Sequence, residues 1–134
     1  MTEISIAGLS VMLAMPINRD LPWQVALSLM QTQDACFARG IPFELHFQVG
    51  CSVVEMARTL TTYEFLKSDK KRLFMLDSDI QWKPEDFIKV LALSTQMEVV
   101  GGIYPTKADP PVFMFDVPNR AEIQSNEFGC LSVL

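Results

Sequence analysis

Apolar runs alternate with amphipathic stretches along roughly the first hundred residues. Residues 10–16, Ser-Val-Met-Leu-Ala-Met-Pro, form a near-continuous apolar run that predicts a buried strand. Leu21-Pro22-Trp23 opens a helix, with Pro22 in the first turn, where its missing N–H costs nothing. Val25, Ala26, Leu29, Met30, Cys36 and Phe37 can share its inward face, and Gly40 marks its stop. A second strand is predicted over residues 43–49, after Pro42. Ser52 and Glu55 have capping-box spacing, and Val53, Met56, Ala57 and Leu60 give the helix that follows an apolar side running to about Lys67. A polar turn at 68–71 leads to the short apolar run 73–76. Pro84-Glu85-Asp86 then starts a third helix, with Phe87, Val90, Leu91 and Leu93 facing inward. A fourth strand is expected from Val99-Val100 through Gly101-Gly102 to Pro105.

This order predicts an α/β three-layer sandwich with a mainly parallel sheet and helices on both faces. After Pro105 the pattern breaks into short stretches punctuated by Asp109-Pro110-Pro111, Pro118-Asn119 and Gly129. Residues 112–115 and 130–134 read there as hairpin-like strands. The final run, Gly129-Cys-Leu-Ser-Val-Leu134, reads as a strand entering a core. The expectation is therefore one domain over 1–134 with its C-terminal part truncated: 1–105 a ligand-binding half, and 106–134 the start of a second half. The open sheet edge and apolar tail make this chain a candidate for homo-oligomer formation.

With 134 residues the chain is one domain's length. Eleven Lys and Arg against sixteen Asp and Glu give a net charge of −5, which argues against a partner bound through nucleic-acid phosphates. Three widely spaced cysteines make neither a disulfide framework nor a zinc site, and a single histidine excludes a His-rich metal centre. The apolar N-terminal run is too short to span a bilayer and lacks a basic flank, so no transmembrane segment is expected and a cytoplasmic setting is.

Candidate chemistry gathers at Leu76-Asp77-Ser78-Asp79. Parallel sheets bind ligands beyond the carboxyl ends of their strands. In extended backbone, Asp77 and Asp79 would point to one side, and a divalent cation would relieve their repulsion. Oxygen ligands favour Mg²⁺ or Mn²⁺. The competing reading is a strand end whose acids cap a turn. Trp82 reads as packing under the third helix start, Trp23 as core or a helix-start staple, Lys70-Lys71-Arg72 as a solvated turn, and the methionines as core fillers. His46 reads as a strand position facing a helix or solvent.

The segment from Arg72 to Phe87 resembles the D-x-D region of family-2-like glycosyltransferases with the GT-A fold, the nucleotide-diphospho-sugar transferase superfamily. Ala57-Arg58 on the preceding helix, the run Val99-Val-Gly-Gly-Ile-Tyr-Pro-Thr-Lys107 and the opening Val11-Met-Leu-Ala-Met-Pro16 match further parts, over roughly residues 9–108. The resemblance implies a metal-dependent glycosyltransferase binding a nucleotide-diphospho-sugar donor, with an unknown acceptor. Asp77 and Asp79 would hold Mn²⁺ or Mg²⁺ against the diphosphate. Pro16, Asn18, Arg58, Ser78 and Lys107, with Asp77, would line the donor site. Gln48-Val-Gly-Cys51 lacks the acid that many relatives use to contact the base, so base identity stays open. No catalytic base is identified; Asp116, Glu122 and Glu127 are candidates only by being acidic. The alternative is a nucleotide-sugar-binding or self-associating domain without transferase activity. Phosphoryl transfer is disfavoured, because no acid ends the first strand and no glutamate follows an earlier one.

Overall fold

A computed structural model describes residues 5–112, 123–125 and 131–133. It forms two compact units, residues 1–100 and 101–134. The first unit holds the strands β1 (Val11–Ile17), β2 (Phe43–Val49) and β3 (Arg72–Met75), with helices α1 (Trp23–Phe37), α2 (Val54–Lys67) and α3 (Pro84–Leu93). The strands make one parallel sheet in the order β2-β1-β3. β1 is central and buried almost throughout, as its unbroken apolar sequence requires.

The two faces of β1 have different cover. Val11, Leu13, Met15 and Ile17 pack with Val25, Leu29 and Cys36 of α1 and with Phe87 and Leu91 of α3. Met12 and Ala14 face the other way and are equally buried, on the side closed by Ala57 and Thr61 of α2. Helices thus cover both faces of a parallel sheet, as predicted.

Polar contacts move the buried face of α1 away from the expected one. Ser28 and Thr32 are buried, whereas Met30 and Phe37 are exposed. Ser28 Oγ donates to the Trp82 carbonyl at 2.8 Å, and the Trp82 indole N–H donates to Thr32 Oγ1 at 2.8 Å. Trp82 needs polar partners where it enters the core, and two hydroxyls one helical turn apart supply them. Trp23 is 70% exposed, so it is not a core residue. Of the methionines, Met12 and Met15 fill the core, while Met56 stands out on α2. Gly40 stops α1 as expected, in a left-handed conformation at φ +64°.

Other expectations change at element ends. Val53, not Ser52, caps α2, and no side chain bonds at that cap, so the capping box does not form. The basic turn is engaged in contacts. Lys70 bonds to Asp69 and lies 3.5 Å from Glu44, Lys71 Nζ donates to the Gly8 carbonyl, and Arg72 lies in β3, bonded to Ser94. The fourth strand is absent: residues 99–104 carry no strand, and Val99 is 89% exposed. Two consecutive glycines give that stretch nothing to pack and much backbone freedom to lose.

In the second unit, β4 (Ile123–Ser125) and β5 (Leu131–Val133) pair antiparallel. This gives the expected strand character to part of the 130–134 run. Residues 113–115 of the other expected strand lie outside the described residues, as do Asp116, Glu122 and Glu127. Among the described residues, no helix is long and apolar enough to cross a membrane.

Candidate functional site

The carboxyl ends of β1, β2 and β3 lie at one edge of the sheet because all three strands are parallel. The strand order reverses between β1 and β3: the chain steps from β1 to β2, then crosses back over β1 to β3. Ligand crevices in open α/β sheets form at such a reversal.

A proline opens the sheet there. Leu76 N–H donates to the Ala14 carbonyl at 3.0 Å, continuing the β1–β3 ladder one residue past β3. The next bond of a parallel ladder would run from residue 16 back to the Leu76 carbonyl, and Pro16 has no N–H to give. The β1–β2 ladder, which uses the other residues of β1, continues to Ile17 and Val49. β3 therefore leaves the sheet first, and the chain turns at Asp77.

The turn differs from the extended geometry expected for the acid pair. Ile80 N–H donates to the Asp77 carbonyl at 3.3 Å, closing a four-residue turn with Asp77 first and Asp79 third. The same-side placement of Asp77 and Asp79 argued from extended backbone therefore does not apply. Asp77 is half-buried and meets a cation from the other face of the sheet: Arg58 Nη2 of α2 lies 3.3 Å from Asp77 Oδ1. Both side chains remain substantially open, at 52% and 42% exposure. Such a pair contributes roughly 0–1 kcal/mol to stability, so it can exchange partners cheaply. Ser78 sits half-buried in the turn, and Asp79 is exposed.

Asn18 follows β1 directly and is exposed, beside half-buried Pro16. Arg58 and Asp77 are thus in contact, Ser78 and Asp79 share their turn, and Pro16 and Asn18 end the neighbouring strand. Lys107 lies on an exposed bend of the second unit. Among the described residues, no group of three or more His, Cys, Asp or Glu side chains could hold a metal ion. A two-carboxylate set still suits Mg²⁺ or Mn²⁺, which bind through one or two carboxylates and take their remaining ligands from phosphates and water.

One contributor escaped the sequence reading. The bonds from Ser28 and Thr32 to Trp82 tie down the segment that follows the acid turn, before Pro84 starts α3. Its only sequence signal is a pair of hydroxyls four residues apart on the helix. The chain matches no protein-family model, no curated protein and no solved structure.

Proposed function

We propose that this domain binds a nucleotide-diphospho-sugar donor at the carboxyl end of the β1–β3 crevice and serves metal-dependent glycosyl transfer to an unidentified acceptor. The observation that supports this most is the Arg58–Asp77 pair, held where the β1–β3 ladder ends at Pro16. Arg58 would turn its guanidinium to the diphosphate, since a planar fork matches phosphate oxygens. That releases Asp77, which with Asp79 would hold Mn²⁺ or Mg²⁺. When bound, the cation supplies charge neutralisation for the departing nucleoside diphosphate. Asn18 and Ser78 are polar groups at the same edge and would contact the nucleotide; Pro16 shapes the opening.

A second reading, donor binding without transfer, draws on the lack of a three-donor metal cluster among the described residues. Titration calorimetry with UDP and with GDP, each in Mn²⁺ and in EDTA, tests both. Metal-dependent binding of either nucleotide supports the site, and Asp79→Ala should abolish the metal dependence while leaving the circular dichroism spectrum unchanged. Equal affinity in variant and parent would sink the assignment. Donor turnover with metal separates transfer from binding alone.

A further inference from the structure

β2 lies at an edge of the three-stranded sheet, and among the described residues no strand pairs with its outer side. Its ladder with β1 fixes which backbone groups face outward. Val11 N–H donates to the Pro42 carbonyl at 2.9 Å, and Gly50 N–H donates to the Ile17 carbonyl at 3.0 Å. The even-numbered residues of β2 therefore turn their peptide groups to β1. Phe43, Leu45, Phe47 and Val49 turn theirs to the open side.

Natural edge strands are usually blocked by lysine, proline or a bulge. β2 has none of these: it reads Phe-Glu-Leu-His-Phe-Gln-Val, and its seven residues follow β1 in unbroken register. Its single acid, Glu44, lies 3.5 Å from Lys70 and is already countered. On the odd face, Leu45 and Phe47 are each 39% exposed and Val49 is 62% exposed. At the middle of the strand, His46 Nε2 is buried with no hydrogen-bond partner among the described residues.

We propose that this edge pairs with the same edge of a second copy of the chain, antiparallel about a two-fold axis through His46. The register follows from the backbone and from full overlap of the edge. Residues that face outward must meet residues that face outward, and pairing all four of them sets Phe43 opposite the partner's Val49 and Leu45 opposite the partner's Phe47, each pair exchanging two hydrogen bonds. His46 then falls opposite the partner's His46 in a non-hydrogen-bonded pair, where side chains approach most closely.

The side-chain pattern reads the same from either end, which is what an isologous contact requires. Apolar residues oppose apolar residues on one face, and on the other Glu44 opposes the partner's Gln48 instead of a like charge. The dimer would join two three-stranded sheets into one in the order β3-β1-β2-β2-β1-β3. The strand ends of the two copies point in opposite directions, so both β1–β3 crevices stay open. The pairing therefore stands or falls independently of nucleotide binding.

Analytical ultracentrifugation of the full chain, from low to high micromolar concentration, is expected to show a monomer–dimer equilibrium. Leu45→Lys and Phe47→Lys should each yield a monomer with an unchanged far-ultraviolet spectrum, because their peptide groups make no bond to β1. In a Cys51→Ser, Cys130→Ser background, His46→Cys should form an intermolecular disulfide under mild oxidation, since a non-hydrogen-bonded pair lies within a disulfide's reach. A monomeric parent at every concentration overturns the proposal. So does a dimer that survives both lysine variants, or one that cross-links through Leu45→Cys but not through His46→Cys.

Discussion

Arg58 and Asp77 separate a ligand-binding role from a purely structural one, because their pair is exposed and adds little to folding. Arg58→Ala should leave the urea midpoint nearly unchanged. A charge-assisted hydrogen bond to phosphate contributes about 1.5–3 kcal/mol, so nucleotide affinity should fall roughly 10- to 100-fold while the response to Mn²⁺ persists. A shifted midpoint with unaltered affinity would make Arg58 a brace between α2 and β3 and nothing more. Cys36 allows a second test, of the core. Burial within α1 pushes its thiol from the ordinary 9.0 up to about 11, with Arg39 opposing weakly. The folded state thus keeps the proton that the unfolded chain gives up. Its stabilising contribution is complete below pH 9 and is lost as pH rises toward 11. Urea midpoints at pH 8 and pH 10.5 should differ more in the parent than in Cys36→Ala; equal differences would mean the buried thiol does not resist ionisation.

Elements with a strong apolar period were legible in the sequence, and elements decided by a single polar contact were not. The predicted β2 span coincides with the observed Phe43–Val49, and α3 starts at Pro84 as its proline and acids require. The inward face of α1 was read in part: Val25, Leu29 and Cys36 are buried as expected, but hydrophobicity cannot show that Ser28 and Thr32 are buried to serve Trp82, 54 and 50 residues away. The acid turn was found by composition, but its shape depends on Pro16 in a different strand, which no local pattern around Asp77 contains. Arg58 was named from resemblance, yet its contact with Asp77 arises only when α2 packs across the sheet. Thr32→Val tests the weight of the Trp82 anchor. It keeps the side chain's shape but leaves the indole N–H unpaired, which costs about 1–3 kcal/mol. The urea midpoint should fall accordingly, with a change in tryptophan fluorescence before the main transition; an unchanged midpoint would show that water replaces the hydroxyl.

For the molecule as a whole, the division at residue 100 places the sheet, every residue of the main apolar cluster and all the proposed site residues except Lys107 in the first unit. A unit of that size with a closed core on both faces of its central strand has enough buried surface to fold independently. A chain shortened to residues 1–100 should therefore unfold cooperatively. Its midpoint should lie within a few degrees of the full chain's, since about 1 kcal/mol shifts a domain of 60–100 residues by roughly 4–8 °C. Its nucleotide binding should still respond to Mn²⁺, because Asp77 and Asp79 remain. A shortened chain that unfolds would mean the first unit depends on the second for stability. A folded one that ignores Mn²⁺ would move the metal-binding groups out of the β1–β3 crevice and into the second unit.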